Sequence, residues 1–134
     1  MEFNGIGIGI SDFKALRLRK NYFIDKSIYI KDIIDNQSGV VLITRPRRFG
    51  KTLNMSMLRY FFDCDVKDSK ELFEGLKIME QEEKYTSKIG TYPCIYLTLK
   101  DVNDTSYENM LLDLKTAILE MYREHMYLLD SDKI

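Results

Sequence analysis

Long apolar runs are missing from this 134-residue chain, and none approaches the length of a membrane span. An excess of one charge is missing too. Twenty Lys and Arg stand against 21 Asp and Glu, a net charge of −1, so no global field draws the chain to DNA or to a membrane surface. Any anion site must come from local clustering. The N-terminal stretch MEFNGIGIGISDFK lacks the basic and apolar regions of a secretory signal. Cysteine is scarce. Cys64 and Cys94 form no C-x-x-C pair and have no histidine cluster beside them, which points to a reduced, cytoplasmic setting with two packed thiols. The two prolines and seven glycines build no linker, and no repeat or low-complexity tract divides the chain.

What is present is a globular balance of 45% hydrophobic and 31% charged residues. A chain of this size holds one domain and can bury roughly two-thirds of its unfolded surface. Its first residues alternate Gly and Ile from Gly5 to Ile10. The spacing fails as a dinucleotide fingerprint and reads as a flexible or edge-pairing arm. Ser11 is placed to cap a short helix carrying Phe13, Leu16 and Leu18. Asn21–Ile24 is strand-like, and Asp25 or Ser27 can cap a helix over Ile30, Ile33 and Ile34.

Val40-Val41-Leu42-Ile43 is a continuous apolar run, as expected of a strand buried on both faces of a parallel sheet. Pro46 stops that strand near Thr44. Thr52–Phe62 reads as a buried helix, Asp68 and Glu71 as a capping box, and residues 79–90 as a solvated stretch. Cys94–Leu99 is a second buried-strand candidate. Thr105 and Glu108 open the longest helix, striped by Leu111, Leu114, Ile118, Tyr122 and His125.

The chemistry concentrates in Thr44-Arg45-Pro46-Arg47-Arg48-Phe49-Gly50-Lys51-Thr52. A phosphate-binding loop reads G-x-x-x-x-G-K-[ST] between a strand and a helix. Gly50 lets backbone N–H groups close on phosphate oxygens, Lys51 reaches the terminal phosphates, and the Thr52 hydroxyl suits Mg²⁺. The first glycine of the pattern is replaced by Arg45, so the backbone must enter by another route, with Arg45, Arg47 and Arg48 around the rim. The competing reading makes R-P-R-R an exposed basic turn.

A second acid for Mg²⁺ has one candidate, Asp101, and the plainer reading of Asp101 is a strand-tip residue. His125 reads as a half-buried, hydrogen-bonded histidine. Tyr22, Phe23, Tyr60, Phe61 and Phe62 read as core aromatics, and Asp63 and Asp65 as turn residues after a helix.

Ile10–Phe13, Asn21–Ser27, Leu42–Asn54 with its R-P-R-R-F-G-K-T, and Tyr92–Val102 together resemble the predicted AAA-ATPase-like family of bacteria and archaea, over nearly the whole chain. The resemblance implies an α/β P-loop NTPase fold of the additional-strand, AAA-like type, with a parallel sheet flanked by helices. Residues 1–38 would form the N-terminal arm and helices. Residues 39–134 would form the P-loop strand, its helix, a second strand and the following helix. It implies ATP and Mg²⁺ as ligands, nucleotide contacts from Arg45 to Leu53 (Arg45, Pro46, Arg47, Arg48, Phe49, Gly50, Lys51, Thr52 and Leu53), and Mg²⁺ on Thr52. By the same resemblance Tyr22, Asp25 and Lys26 line the base or ribose, against a reading in which Asp25 simply caps a helix.

Family members continue into a strand ending Asp-Glu, and many carry a restriction-endonuclease-like domain. The chain therefore reads as the N-terminal half of an ATPase domain, incomplete in its sheet and expected to self-associate. No catalytic residue is assigned. The alternatives are a non-catalytic interaction module and a nucleic-acid binder using Arg45, Arg47 and Arg48 with Arg17, Arg19 and Lys20.

Overall fold

The computed structural model of the chain describes residues 4–130. Six α-helices follow one another: α1 Phe13–Leu18, α2 Tyr29–Asp35, α3 Lys51–Phe62, α4 Ser69–Phe73, α5 Glu83–Thr86 and α6 Tyr107–Glu124. 3₁₀ turns lie at Lys77–Glu80 and Met126–Asp130. The chain divides into two compact units, Met1–Cys94 and Ile95–Ile134.

The expected parallel sheet flanked by helices is overturned. The described residues contain no strand, only two isolated parallel bridges, Ile6 to Tyr22 and Asp63 to Tyr92. The runs read as buried strands are extended but carry no ladder, and their side chains face water. Val40 is 85% exposed, Leu42 84% and Ile95 71%. An apolar run is necessary for a buried strand but not sufficient. A sheet also needs neighbouring backbone to take up every N–H and C=O, and none of the described residues supplies it to either run. Asn21–Ile24 likewise makes one bridge rather than a strand.

In the first unit the core is aromatic and helical. Phe13, Ile30, Met57, Phe61, Leu72, Phe73, Leu76, Ile78, Tyr85 and Ile89 form one buried cluster. Phe73 stacks on Phe13 at 4.9 Å and meets Phe61 edge-on at 5.2 Å. Burying each such ring is worth about 1.5–3 kcal/mol. Helix α3 turns Ser56, Met57 and Phe61 inward and packs on α1 and α4. Its C-terminus is closed by the segment at 90–92, where Gly90 and Tyr92 donate N–H bonds to the Phe61 and Phe62 carbonyls that the helix leaves open. The Arg17 guanidinium does the same for α4, donating to the carbonyls of Leu72 and Glu74, both at 2.7 Å.

Several capping assignments shift. Asp12, not Ser11, caps α1, accepting the Ala15 N–H at 2.8 Å. Helix α2 starts after Ile28 without a side-chain cap. Asp25 instead accepts the N–H groups of Ser27 and Lys77, and the buried Ser27 hydroxyl accepts that of Ile78. Asp68 precedes α4 but makes no cap bond; it pairs with Lys14 at 2.8 Å. The stretch read as solvated, 79–90, contains α5 and buries Tyr85, whose hydroxyl reaches both Asp35 carboxylate oxygens beneath the Lys31 and Lys84 ammoniums. The thiols are not both packed: Cys64 is exposed. Cys94 is half-buried, and burial, with Asp63 nearby, pushes its thiol up to about 11.

The second unit holds α6, capped by Ser106 rather than Thr105. The Ser106 hydroxyl accepts the Asn109 N–H. Leu111, Leu114 and Ile118 are half-buried, while Tyr122 is exposed. His125 ends the helix, half-buried, with Nδ1 2.8 Å from the Met121 carbonyl oxygen, the role read for it. Asp101 lies exposed in a turn that the Val102 N–H closes on Leu99.

Candidate functional site

The basic turn leads directly into the N-terminus of α3. Gly50 precedes the helix with φ +72°, and its carbonyl accepts the first helical bond, from the Asn54 N–H at 2.9 Å. Arg48 also adopts a left-handed backbone, φ +67°, which disfavours a side chain with a Cβ. Two left-handed residues within three positions turn the chain sharply just before the helix. The opening N–H groups of the 12-residue helix α3 add a positive dipole end at the same place. Lys51 folds back over the turn, its ammonium donating to the carbonyls of Arg45 and Pro46. Those two bonds give the glycine-poor loop its route: the lysine holds the Arg45-Pro46 backbone against the helix start.

Two cavities open on this loop. One, about 550 Å³, is lined by Asp25, Lys26, Ile28, Tyr29, Ile43, Arg45, Phe49, Lys51 and Asn54. The other, about 810 Å³, is lined by Ile8–Ser11 of the N-terminal arm and by Arg47, Arg48 and Gly50–Leu53. Lys51 lines both. The first sets Phe49, Tyr29, Ile28 and Ile43 beside three cations, Lys26, Arg45 and Lys51, and beside Asp25 and Asn54. The second has two guanidinium groups, an ammonium and the Thr52 hydroxyl, a set suited to a chain of anionic oxygens beside a hard cation.

Asp25 is the one carboxylate on either wall. Burial alone would push it up, but hydrogen bonds from the Lys77 N–H and from Ser27, with the Lys77 charge, outweigh burial and hold it below the usual carboxylate range. The Tyr29 hydroxyl is buried without a hydrogen-bond partner, and burial, with Asp32 nearby, raises its pKa. A buried polar atom without a partner calls for an explanation, and a bound molecule in the adjoining cavity would supply one.

The residues singled out in the sequence are therefore distributed as follows. Arg45, Phe49 and Lys51 reach the first cavity with Asp25 and Lys26. Arg47, Arg48, Gly50, Lys51, Thr52 and Leu53 reach the second. Pro46 contributes its carbonyl to Lys51. Tyr22 is in neither wall; it is exposed and bridges Ile6. Arg17 is committed to the end of α4, so the second basic cluster loses its first member to packing. Sequence reasoning missed Tyr29, Ile43, Asn54 and the arm residues Ile8–Ser11 as cavity walls. Asn54 alone had a local signal, one helical turn after Gly50. The described residues hold no cluster of three His, Cys, Asp or Glu able to bind a metal. No described helix is long and apolar enough to cross a membrane.

A family model described as predicted AAA-ATPase matches residues 7–132. No curated protein and no solved structure matches the chain.

Proposed function

The chain belongs to the predicted AAA-ATPase family, and we propose that its Gly50-Lys51-Thr52 loop binds the phosphates of a nucleoside triphosphate, ATP by family, together with Mg²⁺. The observation that carries this reading is the position of Lys51, on the walls of two cation-bearing cavities at once, of which one adds the aromatic rings of Phe49 and Tyr29 and the other has no carboxylate. A nucleotide likewise joins a flat base, suited to aromatic walls, to a polyanion, suited to a cationic wall without carboxylates. The phosphates belong in the arm-side cavity, where Arg47, Arg48 and Lys51 offset their charge and the helix N–H groups add donors. Bound Mg²⁺ would neutralise phosphate oxygens, and the Thr52 hydroxyl would hold it.

The base and ribose belong in the other cavity, against Phe49, Ile43 and Tyr29. Both Asp25 oxygens already accept backbone N–H bonds, so Asp25 shapes this wall, while Lys26 and the unpartnered Tyr29 hydroxyl are left to reach the ligand. The proposal is for binding. Neither wall offers an uncommitted carboxylate to orient water, so no hydrolytic residue is assigned. Calorimetry of ATP with Mg²⁺ on the wild type and on Lys51→Ala tests the reading; equal binding by the two would refute it.

A second reading, self-association, rests on a separate observation. Val40 and Leu42 in one extended run, and Ile95, Leu97 and Leu99 in another, present apolar side chains to water with no backbone ladder. Unpaired extended backbone with apolar side chains recruits other chains, including copies of itself.

A further inference from the structure

Resting on the nucleotide reading, we propose that Ser11 contacts the phosphate chain, so that the N-terminal arm forms the second wall of the phosphate site. Ser11 and Thr52 line the same cavity, together with Arg47, Arg48 and Lys51. The arm is held there by a specific chain of bonds. The Ser56 hydroxyl accepts the Phe13 N–H at 2.9 Å; its single proton goes to the Leu53 carbonyl at 2.9 Å, with the Ser11 carbonyl within reach at 3.4 Å as the alternative acceptor. Ser56 follows Thr52 by four residues on α3, so the two share a helix face. The side chain that anchors the arm is thus one turn below the hydroxyl proposed for Mg²⁺.

The other end of the arm is tied as well. The Asn4 N–H donates to the Lys20 carbonyl, the Tyr22 N–H to that of Gly5, and Ile6 bridges Tyr22. Between these anchors Gly9 takes φ +77°, where an L side chain is strained although no atom would obstruct a Cβ. Glycine is therefore required there by the turn of the arm along the cavity. The Ser11 hydroxyl is spared for a ligand because Asp12 has taken over the helix cap. It makes no hydrogen bond among the described residues, and Ser11 is exposed. A serine placed before a helix, excused from capping it, and sharing a cavity wall with Arg47, Arg48 and Lys51 has the chemistry of a phosphate donor.

The experiment is calorimetry of ATP, ADP and adenosine on wild type, Ser11→Ala, Ser11→Thr and Lys51→Ala, with melting temperatures alongside. A lost hydrogen bond to a charged oxygen should weaken ATP and ADP by about tenfold or more in Ser11→Ala. Adenosine binding and melting temperature should hold, and Ser11→Thr should restore the affinity. Unchanged ATP affinity in Ser11→Ala, with Lys51→Ala impaired, overturns this inference and leaves the nucleotide site standing. Equal weakening of adenosine overturns it too, since the residue would then act through the fold. Absence of any nucleotide binding by the wild type overturns the nucleotide reading and this inference together.

Discussion

The Lys51 ammonium donates to the Pro46 carbonyl at 3.0 Å, and the same nitrogen reaches the Arg45 carbonyl. An ammonium has three N–H donors and two are spent on these carbonyls, so the residue that would bind phosphate also closes the loop. Lys51→Ala should therefore lose both functions. ATP affinity is expected to fall at least about tenfold, or about 1.4 kcal/mol. Helical content should stay at the wild-type level, because Lys51 only begins α3. Calorimetry and circular dichroism check the pair of outcomes. Arg47→Ala and Arg48→Ala, which line only the arm-side cavity, should each weaken binding less than Lys51→Ala, since Lys51 lines both cavities.

Ser56 is 4% exposed and its hydroxyl satisfies the Phe13 N–H, itself buried. Ser56→Ala leaves that donor without a partner in the core. The expected cost is about 1–3 kcal/mol, the penalty for stranding a buried polar group. Chemical denaturation should show a lower midpoint with an unchanged slope. A Ser56→Ala protein as stable as wild type would mean the α1–α3 junction does not depend on this bond.

Tyr60 donates its hydroxyl proton to Asp12 at 2.8 Å. Burial, then the hydrogen bond to Asp12 and its negative charge, push the phenol up to about 12. The unfolded phenol titrates near 10. The folded state thus holds this proton more tightly, and the stability it contributes is complete below about pH 10 and disappears as pH rises through about 12. Alkaline unfolding of wild type should steepen in that window, and Tyr60→Phe should lack the step. Asp25 acts with the opposite sign. Its pKa is depressed, so its contribution is present above the unfolded value near 3.9 and is lost as pH falls through the lower folded value. Paired acid and alkaline denaturation curves on wild type, Asp25→Asn and Tyr60→Phe separate the two.

Leu42 is 84% exposed on extended backbone, and Leu97 is 47% exposed in the other apolar run. If copies of the chain associate through these runs, Leu42→Lys and Leu97→Lys should each raise solubility and shift sedimentation toward monomer, since a charge on an open edge opposes pairing. Removing an exposed side chain of this kind should leave the aromatic core, and hence the circular dichroism spectrum, unchanged. Sedimentation indistinguishable from wild type in the double variant would place association elsewhere.

Local pattern alone was enough for α3 and α6. Three-to-four spacing of Leu53, Met57, Leu58 and Phe61, and of Leu111, Leu114 and Ile118, can be accommodated only by a helix, whose hydrogen bonds are internal to the segment. Gly50-Lys51-Thr52 at the start of α3 was legible for the same reason: the chemistry and the helix start are neighbours in sequence. The caps of α1 and α6 were legible to within one residue, whereas those read for α2 and α4 did not form. Asp12 replaced Ser11 and Ser106 replaced Thr105, because adjacent side chains can all accept an N–H bond and the chain's direction of entry chooses among them.

That the described residues form no sheet was not legible, because a strand is defined by a partner distant in sequence, and Val40–Ile43 has the composition of a strand without the partner. The cavity walls belong to the same class. Ile8–Ser11, Asp25 and Tyr29 reach the loop only because Ser56 anchors the arm to α3 and because Asp25 and Ser27 fasten the segment before α2 to the backbone of Lys77 and Ile78. Those bonds join residues about fifty positions apart, so their formation depends on the packed aromatic core rather than on any local propensity.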